Sequence, residues 1–307
     1  MNTHTQSASR IARPLRLALA ALIVALAALA PSFSDAAPAF KVLIFKNTPA
    51  LERFHADAVA AGITAIQQMG AANDFEVVVT DQPSDFTDAN LAQYRAVIFL
   101  SPEGQRFTDP QRQAFQSYIE GGGGYVGIHG AMYMERTTTT YAGWPWYRQL
   151  VGATPFGGGP PLGQAIVRVV NKNHPSTTDL PDDWTRTDEW YGFQSVSPNV
   201  TVLAKVDEST YDPGIHEMGS NHPIAWYQTI GNGRSWYTGG GHYAVNWTNE
   251  PLFLKHVLGG ILWAANPPAA PTPTATTQPT ATTQPTVTPT GVVTPLTRRG
   301  FVPLALK

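Results

Sequence analysis

Four short runs of this chain are apolar on both of their faces, and that constrains the fold more than anything else in the sequence. They are Lys41-Val42-Leu43-Ile44-Phe45, Phe75 to Thr80, the end of the segment from Tyr94 to Leu100, and Tyr125 to Ile128. A strand that alternates apolar and polar residues buries one face, whereas a strand apolar throughout must be covered on both. Helical spacing fills the gaps between the runs. Glu52 to Met69 carries Ala58, Ala61, Ile66 and Met69 on one stripe. A second helix is expected from Asp109, with Asp109 as N-cap and Pro110 at the first helical position. Strands alternating with helices specify an α/β, doubly wound, mostly parallel sheet of the flavodoxin-like kind, in a single domain.

Within that frame, Gly121-Gly122-Gly123-Gly124-Tyr125-Val126-Gly127-Ile128-His129-Gly130-Ala131 stands out. The glycine run precedes the fourth strand, so it is not a dinucleotide phosphate loop, which follows one. Ligands of open α/β sheets bind outside the carboxyl ends of the strands, and His129 sits at such an end. Small neighbours on either side suit a tight turn like a nucleophile elbow, with histidine as the lifted residue instead of serine or cysteine.

After the elbow, strands are expected at Gln164 to Val170, Thr201 to Val206, Ile224 to Thr229 and Ser235 to Thr238. A helix from Pro251 to Ala265 closes the domain. Other candidate site residues cluster in short blocks. Asp188-Glu189-Trp190-Tyr191 sets two carboxylates beside aromatics, suited to a base, a metal ligand or an acceptor of sugar hydroxyls. Gly239-Gly240-Gly241-His242 puts a second histidine on a glycine-rich strand end. His55 lies near the first strand–helix junction, and His222 starts a strand. His174, His216 and His256 are weaker candidates. Histidines with a carboxylate can ligate a divalent metal, but no HExxH-type pair exists, so such a site must be assembled from distant segments.

Composition removes other chemistries. The chain has no cysteine, which excludes thiolate nucleophiles, thiolate metal sites and structural disulfides. No P-loop and no serine elbow is present. Between residues 40 and 266 there are 21 acidic residues against 14 Lys and Arg, a net charge of −7 without a basic stripe, so nucleic acid is not an expected partner. All 8 tryptophans fall in this stretch, a composition common around sugars, although core packing accounts for each one taken alone.

The ends differ from the domain. Arg10, Arg13 and Arg16 precede an unbroken apolar run from Leu17 to Ala30, with small residues at Ser34-Asp35-Ala36-Ala37. This is the layout of a secretory signal peptide over residues 1–36, which makes the protein secreted or cell-surface. The domain is expected over residues 40–266. Residues 267–290 form a Thr/Pro-rich linker in which Ala275-Thr276-Thr277-Gln278-Pro279-Thr280 repeats at once. A short apolar tail at 291–307 offers cell-surface attachment through the C-terminal stalk, or a plain terminus.

The blocks Asn90-Leu91-Ala92-Gln93-Tyr94, Gly122 to His129, Trp146-Tyr147, His174-Pro175, Asp188 to Tyr191, Val206 to Tyr211, His222 to Trp226 and Gly233 to His242 occur in this order. Together the sequence resembles the ThuA-like (trehalose-utilisation) family over about residues 41–265. The resemblance implies the class I glutamine amidotransferase-like fold and a role in trehalose or related disaccharide and keto-sugar metabolism. His129 stands where that fold carries its nucleophilic cysteine, which excludes glutaminase chemistry. The chain departs from the family at Phe156-Gly157-Gly158-Gly159-Pro160, where members commonly show His-Pro.

The leading expectation is a carbohydrate-active protein with His129, Glu189 and His242 as catalytic residues or divalent-metal ligands. His55, Trp146, Asp188, Tyr191, His222 and Trp236 would bind a small-molecule carbohydrate. The competing readings are a non-catalytic sugar-binding module, with Trp144, Trp190 and Trp236 stacking on pyranose faces, and a surface-displayed module.

Overall fold

The computed structural model describes residues 37–47 and 54–265. The expected signal peptide, linker and apolar tail lie outside these residues, as does the start of the helix expected from Glu52. The first half of the chain lays down β1 (Phe40–Phe45), α1 (Ala56–Ala72), β2 (Phe75–Thr80), α2 (Asp88–Leu91), β3 (Ala96–Leu100), α3 (Asp109–Glu120) and β4 (Gly124–Ile128). Then follow α4 (Pro145–Val151), β5 (Ala153–Pro155), β6 (Leu162–Val169), β7 (Asp183–Glu189), β8 (Phe193–Val196), β9 (Thr201–Asp207), β10 (Pro223–Ile230), β11 (Gly233–Thr238), α5 (Ala244–Thr248) and α6 (Pro251–Ala265).

Nine strands make one sheet in the order β2-β1-β3-β4-β11-β10-β9-β6-β7. The ladders from β2 to β11 are parallel, and those from β11 to β7 are antiparallel. Only β10 and β6 run against the rest, so seven of the nine strands end at the same edge. The doubly wound, mostly parallel α/β architecture is as the apolar runs predict.

The two-sided burial of those runs is visible residue by residue. Val42, Ile44, Ile98, Leu100, Val126 and Ile128 join one core with residues of α1 and α6. Leu43, Phe45, Val97, Phe99 and Tyr125 point the other way, into a core completed by Phe115 of α3 and Tyr147 and Leu150 of α4. Gly124 lets α6 come close, since a Cβ there would lie 2.4 Å from the Ala264 carbonyl oxygen.

Two local expectations are corrected, and one strand was missed. Thr108, not Asp109, is the N-cap of α3, forming a reciprocal capping box with Gln111, so Pro110 falls at the second helical position. Asp188 and Glu189 belong to β7. That strand was not expected, because its inward face carries Trp184, Arg186 and Asp188 and hides the period-2 pattern.

Candidate functional site

His129, Glu189, His242 and His55 come together at the carboxyl edge of the sheet. His129 follows β4, His242 follows β11, Glu189 ends β7, and His55 lies between β1 and α1. All four strands run in the same direction, which brings their ends to one edge. The contribution of β7 needs more than direction. It lies four strands beyond β11, about 19 Å away in a flat sheet, yet Glu189 Oε2 is 3.2 Å from His242 Nδ1. The antiparallel half therefore curls back over the edge, in line with the twist of sheets.

The turn at His129 is strained. Its φ is 50°, in the left-handed region that non-glycine residues enter rarely, and such strain gathers at functional sites. The ring is fully buried. Nδ1 lies 2.7 Å from the Gly239 carbonyl oxygen. A carbonyl only accepts, so Nδ1 carries a proton and donates, and Nε2 faces the cluster.

Around that nitrogen, polar atoms crowd closely. His55 Nε2 is 3.1 Å away, His242 Nδ1 3.2 Å, Glu189 Oε2 3.1 Å and the Tyr191 hydroxyl 2.8 Å. One donor atom from each of His55, His129, Glu189 and His242 lies within 4.8 Å of every other. The donors of a tetrahedral zinc site, each about 2.0–2.1 Å from the ion, are about 3.3 Å apart. Four of the six separations, at 3.1–3.2 Å, are close to that edge length, and three imidazoles with one carboxylate form a donor set suited to zinc and its neighbours.

Electrostatics keep His55 and Glu189 in ligating form, whereas a cation must displace a proton that His242 holds more firmly than usual. Burial pushes His55 down to about 3, with the neighbouring His129 and His242 adding to the effect, so it is neutral at physiological pH. Burial works against the Glu189 carboxylate. The hydrogen bonds and charges of His129 and His242 outweigh it and hold the group well below its ordinary range. Burial lowers His242, but the Glu189 carboxylate more than compensates and raises it.

A surrounding layer fixes these side chains. Asp188 is buried and accepts the backbone N–H groups of Gly241 at 2.9 Å and His242 at 3.0 Å. It also pairs with Arg186 Nη1 at 2.6 Å. Gly241 has φ 108°, so the loop needs glycine to present His242. His222 is fully buried, with Nε2 2.8 Å from the Tyr191 carbonyl oxygen, and supports Tyr191 from behind.

Asp188 therefore positions His242 and His222 positions Tyr191, and neither lines the cavity as the sequence suggested. Trp236 is also fully buried and donates to Ser176 Oγ at 3.1 Å. Trp146 sits on α4 and donates to Glu120 at 2.8 Å, away from the cluster. Trp144 and Trp190 are buried as well, so none of the three suggested stacking tryptophans offers a free face.

The cluster opens into a cavity of about 510 Å³. Glu103, Tyr133 and Arg136 line it and were not among the expected residues. So do Gly158 to Pro160, the segment that departs from the His-Pro of the family, and Phe54, which is 78% exposed at the mouth. Glu103 was findable, because it lies just past the end of β3, where the strand-end rule also applies. Its carboxyl is pushed up by burial, and Oε1 lies 3.5 Å from His55 Nδ1.

A curled α/β sheet with a histidine–carboxylate cluster at its strand ends, and no nucleophile in the elbow, defines the class of protein. The chain belongs to the ThuA family, described as trehalose utilisation, whose model matches residues 41–264. It is similar to a ThuA-like protein from Bacteroides uniformis, at 27% identity over 76% of this chain and 95% of that one, with TM-score 0.64. A ThuA-like protein from Parabacteroides merdae shares the fold at 20% identity, over 77% of this chain and 94% of that one, with TM-score 0.56. Among curated proteins, none matches.

Proposed function

We propose that this protein is an exported carbohydrate-active member of its family. It would bind a sugar in the cavity above the cluster and act on it with the help of a divalent cation held by His55, His129, Glu189 and His242. The observation that carries the reading is the convergence of three imidazoles and one carboxylate, from separate segments of the chain, with donor atoms all within 4.8 Å of one another. Family membership supports trehalose utilisation as the setting. Export rests on the N-terminal sequence alone. With four protein donors, a cation here would reach a sugar oxygen or a water only by taking it as a fifth ligand, and it would then polarise that oxygen or lower the pKa of that water. The chain's own part is to orient His129 through Gly239, His242 through Asp188 and Tyr191 through His222, and to offer the Tyr191 hydroxyl and the Glu103 carboxylate to the sugar.

The test is metal analysis of the purified full chain, with calorimetric titration of disaccharides before and after chelation. The reading expects about one zinc or similar ion per chain and sugar binding that falls on chelation. A protein that takes up no divalent ion, even when the metal is supplied, sinks the metal-assisted reading. One that then still binds sugar becomes a plain binding module.

A further inference from the structure

A second cleft of about 310 Å³ adjoins the main cavity and shares Glu103, Tyr133 and Arg136 with it. Its remaining walls are hydroxyl and amide groups from Gln105, Thr138, Thr140 and Tyr141. Arg136 forms the divide between the two. Its guanidinium lies 5.1 Å from the centre of the Tyr133 ring. Among the described residues no carboxylate or carbonyl pairs with it. Arg106, Arg112, Arg148 and Arg186, by contrast, all donate to carbonyls or carboxylates.

The dividing wall is built, not loose. The neighbouring Glu135 is fully buried, with φ 50°. Its carboxylate accepts Arg106 N at 2.6 Å, Phe107 N at 3.0 Å and Arg112 Nη2 at 2.8 Å. Its own N–H donates to the Gly104 carbonyl at 3.0 Å. An arginine on so firm a base, stacked on an aromatic ring and without a hydrogen-bond acceptor among the described residues, keeps its donors for a ligand.

The ligand's character follows from what else lines the wall. Glu103 and Glu189 flank Arg136 in the main cavity, so an anionic ligand would meet two carboxylates. A neutral polyhydroxylated ring suits every group present. Its hydroxyls can donate to Glu103 and accept from Arg136, Gln105 and the threonines, while the tyrosines cover its apolar faces.

Resting on the sugar reading above, we propose that the Arg136 cleft is a second sugar subsite. The substrate is then a neutral saccharide of at least two rings, with one ring at the His55/His129/Glu189/His242 cluster and the next over Arg136.

Calorimetric titration of the full chain in saturating zinc tests this, with trehalose, maltose and sucrose as two-ring probes and glucose as the single ring. At least one disaccharide should bind tighter than glucose by about tenfold or more, the scale of one hydrogen bond to a charged group. Arg136→Met removes the donors, and Thr140→Trp fills the cleft from an exposed position. Each should bring the disaccharide-to-glucose affinity ratio toward one, with thermal melts confirming that both variants fold. Equal binding of one and two rings by the wild type overturns the subsite. So do variants that weaken glucose and disaccharide alike. If no saccharide binds a zinc-loaded chain, the sugar reading itself fails and the subsite falls with it.

Discussion

At the scale of single residues, His129 and Glu189 play separable parts. His129 is fully buried, so a strand-end turn here is not the half-packed position its sequence context suggests. His129→Ala leaves the Gly239 carbonyl and the Tyr191 hydroxyl without partners. A loss of about 1–3 kcal/mol is expected from that alone, together with loss of the ion. Denaturant unfolding of metal-free protein isolates the first part. Glu189 lines the open cavity, so Glu189→Gln removes the charge while keeping the shape. Zinc affinity should fall by at least tenfold, since even residues that only orient ligands are worth 10–100-fold. The metal-free protein should also melt lower than wild type at neutral pH, because a carboxylate held below its ordinary range stabilises the fold there. A Gln variant that retains full zinc affinity would remove Glu189 from the ligand set.

At the scale of elements, β7 carries the largest burden, because its inward face brings charge into the core. Arg186 and Asp188 form a buried pair at 2.6 Å, and Asp188 also holds the loop that presents His242. Asp188→Ala removes one of the two carboxylates that hold Arg186, the other being Glu250, and strands two N–H groups, and should cost about 3–5 kcal/mol, read from denaturant midpoints. Helix α6 makes a different kind of demand. His256 is enclosed, and burial pushes it down to about 3. The Ser176 carbonyl acts in the opposite sense, while Arg186 and His174 add to the lowering. The unfolded chain protonates this residue near its ordinary value of 6.5 and the folded one does not, so its contribution is complete above pH 6.5 and is lost as pH falls toward 3. At pH 5 the loss is about 2 kcal/mol from this group. His256→Phe should flatten the acid limb of a stability–pH curve, and an unchanged limb would count against the assignment.

For the whole molecule, the cluster joins the two halves of the sheet. His55, His129 and His242 follow strands of the parallel half, while Glu189 ends the far strand of the antiparallel half. An ion bound there ties the curled half down and acts only on the folded state. Free zinc at about 100 times its dissociation constant should add roughly 2.7 kcal/mol, or about 5–10 °C in melting temperature for a domain of this size. Scanning calorimetry with zinc and then with chelator reads the shift. No shift at saturating zinc would show that the donors do not form a folded-state site.

The sequence alone determined the α/β layout, because runs such as Val42 to Phe45 and Val97 to Leu100 are apolar on both faces and have only one stable environment. It also marked His129, Glu189 and His242, since strand ends and glycine turns are local features. His55 was marked as a ligand-facing residue, but its place among the metal donors was not legible. Nor were the roles of Asp188, His222 and Trp236, which depend on how the chain packs behind the site. Arg136 carried no local signal at all, lying beyond the elbow in a stretch without periodicity. Only the tertiary structure decided that the four donors meet. Sequence sets the direction in which each strand runs, but the curl that brings β7 from about 19 Å to contact distance comes from twist accumulated across the strands between β11 and β7, and it leaves no mark in any one of them.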